Sequence, residues 1–153
     1  MTFQEKNITV SLVNFSLILL FFTLRLFQIS QNGNFNSSTI FRLWGVVIIM
    51  AIFVTIAATI LTHIVSIIIE AIRTGEKDPD TSNIDLADER DQLIDLRGTK
   101  VTYTASSFGV FIAMLIFVFG QPALVMFTLL IFVGVIAQIM GDATRLYLYR
   151  AGF

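Results

Sequence analysis

The chain has 153 residues, of which 56% are hydrophobic and 14% charged, and its formal net charge is −1. Soluble domains carry about 25% charged residues, so this composition and a mean hydropathy of +0.82 exclude an ordinary soluble domain and indicate one integral membrane domain, 1–153. The near-neutral charge, without a basic patch, argues against a nucleic-acid partner. The absence of cysteine excludes disulfides, thiolate metal sites and cysteine nucleophiles.

Four long apolar stretches predict four transmembrane helices. A helix needs about 20 apolar residues to cross the hydrocarbon, whereas an isolated strand leaves its backbone unsatisfied in lipid. The helices are predicted, in chain order, at 8–29, 39–73, 101–119 and 122–149. The first and third fit the membrane, and the second and fourth are long enough to tilt or project beyond it. The expected fold is therefore an all-α four-helix transmembrane bundle.

The connections differ in length and charge. A short polar loop joins the first two helices, and Gly120 followed by Pro122 predicts a tight turn between the last two. Between the second and third helices lies a long charged connection, 74–100, which holds most of the acidic residues. The last two helices should therefore form an antiparallel hairpin.

The distribution of Lys and Arg predicts the orientation. If both termini and the 74–100 connection share one side, the other side has only Arg25 and Arg42. The richer side carries Lys6, Arg73, Lys77, Arg90, Arg97, Lys100, Arg145 and Arg150. Because cytoplasmic segments are enriched in basic residues, the termini and the connection are predicted to be cytoplasmic.

Each predicted helix carries a stripe of small or polar residues, typical of packing between membrane helices. Counted from the cytoplasmic helix ends, one polar layer is expected about 9–13 Å deep, formed by Asn14, His63, Ser106, Ser107 and Gln138. His63 is the single histidine, and an ionisable residue inside a membrane is a candidate for function. It would either carry a proton or remain neutral and bond to Gln138, Ser106 or Asn14.

The segment 86–100, "LADERDQLIDLRGTK", separates its charges when wound as a helix. One face carries Asp88, Asp91 and Asp95, and the opposite face carries Leu86, Leu93, Arg90 and Arg97. This pattern predicts a cytoplasmic amphipathic helix that continues into the third transmembrane helix.

Two roles for this segment are open. In the first, the acidic face is solvated and the Leu/Arg face packs on the cytoplasmic end of the bundle. Ion pairs there would draw on Glu70, Arg90, Arg97, Asp142 and Arg145, with Arg90 and Arg97 paired to Glu70 or Asp142. In the second, Asp88, Asp91 and Asp95 bind Mg²⁺, Ca²⁺ or a basic partner. The segment looks too acidic to bind lipid headgroups as polybasic segments do.

The motif "DERDQLIDLRGTK" directly before an apolar helix, with "LYLYRAG" closing the last helix, resembles a group of small four-helix prokaryotic membrane proteins of unknown function. Proteins of that group carry an Asp-Glu-Arg block ahead of the third helix. The resemblance implies a multi-pass protein of the prokaryotic inner (cytoplasmic) membrane. It implies no activity and no cofactor.

Three kinds of function are compatible with these features. The first is a non-enzymatic protein that works by homo-oligomeric assembly, or by docking a cytoplasmic protein partner on the 86–100 helix. The second is a small oligomeric transporter or channel that conducts protons or cations along the layer of His63. The third, a membrane enzyme acting on a lipid, is disfavoured because facing Asp-rich or His-rich motifs are missing.

Overall fold

The computed structural model describes residues 3–33, 35–74 and 89–151. They form four α-helices: α1 Phe3–Gln31, α2 Ser37–Thr74, α3 Glu89–Val118 and α4 Ala123–Arg150. Residues 75–88, including Asp88, and the side chain of Glu70 lie outside the described part of the chain.

All four helices are long and apolar enough to cross a membrane. This confirms the predicted all-helical fold with four helices whose length and composition suit a membrane protein. Helix α3 extends furthest beyond its predicted apolar part, since it begins at Glu89 rather than at residue 101, and α1 begins at Phe3 rather than at residue 8. A helix can continue past the hydrocarbon because its backbone hydrogen bonds are internal and do not depend on the solvent.

The charged segment and the third transmembrane helix form one continuous helix from Glu89 onward, as predicted. Its first turn holds Glu89 and Asp91, whose charges favour the positive end of the helix dipole. Gly98 lies within the helix and is buried.

Two short turns join the helices at what is here named the hairpin end of the molecule. Asn36 Oδ1 accepts a hydrogen bond from the backbone N–H of Thr39, 2.9 Å away, and so caps the start of α2. Gly120 has a φ of +93°, a left-handed conformation that glycine adopts readily, and ends α3 as predicted. The opposite end, where α1 begins and α4 ends, is named the terminal end.

Helix α4 lies at the centre of the packing. Its most extensive interface is with α3, followed by that with α1, and α1 also packs against α2. Helix α2 has only a small interface with α4. Many described apolar side chains are exposed in its half toward the terminal end, among them Ile52 (54% exposed) and Ile72 (77% exposed).

Small residues allow the close approach of α3 and α4. A β-carbon added at Gly141 would meet Thr102 Oγ1 and would lie 3.1 Å from the carbonyl oxygen of Gly98. Gly109 likewise faces Val133. The expected small-residue packing is therefore present at these positions. Gly134 is different, because it is exposed and has open space where a side chain would be.

An apolar core occupies the half of the molecule near the hairpin end. It is built from Ile18, Phe22, Leu43 and Val47, which are all at most 7% exposed. Phe132 of α4 packs on this cluster, with its ring centroid 6.3 Å from that of Phe22. The larger polar network lies toward the terminal end.

Candidate functional site: a polar cleft at the terminal end

A cleft of about 420 Å³ opens between α1, α3 and α4 at the terminal end. It is here named the polar cleft. Its polar lining includes Gln4, Asn7 and Ser11 from α1, Asp91, Gln92 and Asp95 from α3, and Gln138, Asp142, Arg145 and Tyr149 from α4. Its volume lies within the range of about 300–1,000 Å³ that is usual for small-molecule sites.

Asp142 is the most deeply buried charged group of the polar cleft, with 3% of the residue exposed. Ser11 Oγ donates to its Oδ2 at 2.6 Å, and Gln138 Nε2 donates to its Oδ1 at 3.1 Å. Arg145 Nη1 also donates to Oδ1, at 2.9 Å. A buried carboxylate is tolerated when it is both paired and hydrogen-bonded, and both conditions hold here.

Ser11 and Asp142 meet because they lie at equal depth on antiparallel helices. Ser11 lies eight residues after the start of α1, and Asp142 lies eight residues before the end of α4. Both are therefore about 12 Å from the helix ends. The bond between them ties α1 to α4.

Arg145 ties α4 to α3. Its Nε donates to Asp95 Oδ1 at 2.8 Å, and its Nη2 donates to Thr99 Oγ1 at 2.7 Å. The side chain crosses the backbone of Gly98, where a β-carbon would lie only 2.7 Å from Nε. A guanidinium has five donors in a planar fork, so one arginine can reach both carboxylates and the hydroxyl.

Tyr149 forms a second link between α4 and α3. Its hydroxyl donates to Asp91 Oδ1 at 2.7 Å. The Arg90 guanidinium lies over the Tyr149 ring, 5.7 Å from the centroid, and Nη2 donates to the Tyr149 carbonyl oxygen at 3.4 Å. The ring thus packs between a carboxylate and a cation of the same α3 segment.

The first role suggested for the amphipathic segment is only partly met, because Arg90 of its Leu/Arg face packs on Tyr149 of α4 while the aspartates and leucines are arranged differently. Asp91 and Asp95 face α1 and α4, together with the fully buried Ile94. Leu93 and Leu96, by contrast, are 51% and 65% exposed. The prediction assumed that a row of carboxylates faces solvent. It failed for Asp91, which is half-buried and bound by the phenol of α4. Asp95 is bound by a guanidinium of α4, although its side chain remains 70% exposed.

The ion pairs at this end also differ from the expected set. The structure pairs Asp142 with Arg145, from its own helix, where the sequence suggested Arg90 or Arg97. Arg145 is also within 2.8 Å of Asp95, which was not expected to form an ion pair. Arg90 lies against Tyr149. The expected pairing of Arg90 or Arg97 with Glu70 involves a side chain that lies outside the described part of the chain.

The five residues of the expected polar layer are not gathered in one place. Gln138 lies in the polar cleft, Ser106 is half-buried and Ser107 is exposed. Asn14 Nδ2 donates to the carbonyl oxygen of Val54 at 3.3 Å, which sets the register of α1 and α2.

His63 lies nine residues further along α2 than Val54, so it is about 14 Å closer to the terminal end than Asn14. It is half-buried there. Counting from the end of α2 misplaced it, because α2 has 38 residues and α1 only 29.

Of the metal site suggested for Asp88, Asp91 and Asp95, the structure describes only Asp91 and Asp95, since Asp88 is outside the described residues. In the described ranges, no group of three or more His, Asp or Glu side chains is arranged to hold a metal ion. Asp91 and Asp95 accept hydrogen bonds from Tyr149 and Arg145 instead.

Sequence reasoning missed Ser11, Thr99 and Tyr149 as partners of the charged groups. Ser11 lies three residues before Asn14 in α1, and its depth, equal to that of Asp142 in α4, is the signal that matches the two residues. Nothing local to Tyr149 indicates Asp91, which lies 58 residues away in the sequence.

The polar cleft carries an excess of negative charge, because the part of its lining that the structure describes has three aspartates and one arginine. Its amide and hydroxyl groups add hydrogen-bonding capacity, so the arrangement suits a ligand group that is positively charged and donates hydrogen bonds. No protein-family model, curated protein or solved structure matches this chain.

Proposed function

We propose that this chain is a non-enzymatic, multi-pass protein of the cytoplasmic membrane that docks a basic segment of a protein partner in the polar cleft. The observation that carries the proposal is the unbalanced charge of the cleft: of the described residues that line it, three are aspartates and one is an arginine. Lys and Arg side chains have the charge and the donors that complement such a site.

Asp91 and Asp95 are the carboxylates best placed to receive a cation. Asp91 accepts its hydrogen bond from the neutral hydroxyl of Tyr149, which leaves its negative charge in place. Asp95 shares one guanidinium with Asp142, and its side chain is 70% exposed. An incoming cation would therefore meet two carboxylates at the accessible wall of the cleft.

The proposed orientation places the polar cleft on the cytoplasmic side. The excess of Lys and Arg on the side of both termini supports it. A cytoplasmic partner would then reach the cleft from the terminal end. This orientation also matches the resemblance to small four-helix membrane proteins of prokaryotes.

Conduction of protons or cations by a single copy is less well supported. The polar groups of the cleft end where the apolar core begins, and Phe22 and Val47 of that core are at most 2% exposed. Moving a charge through such a region is costly. A pore would require several copies of the chain. That the chain forms a homo-oligomer is a proposal separate from docking in the polar cleft. Light scattering of the detergent complex would measure the number of copies.

The docking proposal is tested with the full chain in nanodiscs of neutral phosphatidylcholine. Fluorescent peptides of equal length, one rich in lysine and one rich in glutamate, are titrated and followed by anisotropy. Asp91→Asn removes a charge from the cleft and keeps an acceptor for Tyr149. Glu89→Gln removes one charge from the same turn of α3, outside the cleft lining.

We expect saturable binding of the lysine peptide, weakened about fivefold by Asp91→Asn and much less by Glu89→Gln. Added salt should weaken it further, because the attraction is screened. Absence of saturable binding, equal binding of the glutamate peptide, or equal effects of the two variants would refute the proposal. Melting curves of both variants show whether they are folded.

A further inference from the structure

A second depression lies on the opposite side of the α3–α4 pair and is here named the apolar groove. It has a volume of about 750 Å³. Phe108 and Ala105 of α3 and Met140 and Leu148 of α4 contribute to its apolar wall. Among the described residues, its charged lining consists of Arg97 and Lys100 and includes no acidic side chain.

The groove owes its local charge to the position of the aspartates, which line the other depression. Asp91 and Asp95 of the same α3 segment line the polar cleft, while Arg97 and Lys100 are exposed on the groove side. A segment that is too acidic in composition for lipid headgroups therefore presents two cations on this one side. The acidic and the basic side chains of the segment thus lie on different sides of the α3–α4 pair, which its composition does not show. This separation allows the groove side to bind an anion.

The two cations directly precede the apolar part of α3, where a lipid phosphate is expected. The apolar part of α3 begins at Val101, directly after Lys100. Long basic side chains next to the hydrocarbon boundary reach the headgroup region. Tyr147, which is 70% exposed and lines the same groove, has the amphipathic ring that is typical of this layer.

We propose that the apolar groove binds an anionic glycerophospholipid. Arg97 and Lys100 hold its phosphate group, and one acyl chain lies between α3 and α4 against Phe108 and Met140. A soluble anion would use the two cations alone. A lipid also uses the apolar wall, which belongs to the membrane-spanning parts of both helices. The proposal is independent of docking in the polar cleft.

The test is native mass spectrometry of the full chain, released from micelles that contain equal amounts of phosphatidylglycerol and phosphatidylcholine with identical acyl chains. We expect one phosphatidylglycerol to be retained in preference to phosphatidylcholine. The double variant Arg97→Gln/Lys100→Gln should lose that preference, by about fivefold for each charge removed. Met140→Trp, which fills the groove at a residue that is 46% exposed, should lower retention of both lipids.

The control is Arg42→Gln at the hairpin end, which removes one positive charge far from the groove and should leave the preference unchanged. Glycerol phosphate, added in excess, should not compete, because it lacks acyl chains. Equal retention of the two lipids, an unchanged preference in the double variant, or displacement by glycerol phosphate would overturn the proposal.

Discussion

Arg145 lies directly against the backbone of Gly98, so that a β-carbon at position 98 would be 2.7 Å from Nε. This contact lets the guanidinium reach Asp95 on α3 while it remains paired with Asp142 on α4. One missing side chain on α3 thus makes room for the interaction that joins the two helices at the terminal end.

Gly98→Ala should displace Arg145 and destabilise the protein by about 1–3 kcal/mol, the usual cost of overpacking. The fluorescence of the single tryptophan, Trp44, followed on heating in detergent, measures the loss. Gly134→Ala is the matched control, because position 134 is helical and has open space for a β-carbon. Alanine there should be neutral or stabilising. An equal effect at the two glycines would contradict the contact.

Gly141→Ala should also be destabilising, because its β-carbon would meet Thr102 Oγ1. Thr102→Ala removes that oxygen, so the double variant should recover part of the loss, and the coupling between the two sites should exceed about 0.5 kcal/mol. Recovery should be incomplete, because the Gly98 carbonyl oxygen would still be 3.1 Å away. Additive effects of the two substitutions would show that the residues are not in contact.

Asp142→Asn should destabilise the protein more than Asp95→Asn. The side chain of Asp142 is 4% exposed and that of Asp95 is 70% exposed, although both are paired with Arg145. Breaking a buried pair costs about 3–5 kcal/mol, whereas an exposed pair contributes about 0–1 kcal/mol. Thermal unfolding of the two variants in the same detergent shows which one loses more stability. A larger loss for Asp95→Asn would refute the deeper burial of Asp142.

Tyr149→Phe should cost about 1–3 kcal/mol, because the Asp91 carboxylate loses the hydroxyl that donates to it at 2.7 Å. Tyr147→Phe removes the same group from a side chain that is 70% exposed and should change stability by less than about 0.5 kcal/mol. Chemical denaturation of both variants provides the comparison. A similar loss at the two tyrosines would argue against the hydrogen bond to Asp91.

The proposed orientation predicts which single cysteines an impermeant maleimide reaches. The natural chain has no cysteine, so each introduced thiol is the sole target. In intact cells, Asn32→Cys at the hairpin end should be labelled and Ala151→Cys at the terminal end should not. Both positions are exposed. After the membrane is opened, both should react, and labelling of Ala151→Cys alone in intact cells would reverse the orientation.

The sequence alone was sufficient for the four helices and for the turn at Gly120 and Pro122. A helix that crosses hydrocarbon must carry about 20 apolar residues, so its presence is a local property of the chain. The continuation of the charged segment into α3 could also be predicted locally, because its charges and leucines recur with the period of an α-helix.

Only the tertiary structure decided which side chains of that segment contact α4. The groups that receive Asp91 and Asp95 belong to α4, more than 45 residues away along the chain, and no pattern within the segment records them. The position of His63 along the bundle axis also depends on a contact between helices, the hydrogen bond from Asn14 to Val54 that sets the register of α1 and α2. The hydrophobic length of a helix is a property of consecutive residues. The pairing of polar groups depends on how separate helices pack against one another, which consecutive residues do not determine.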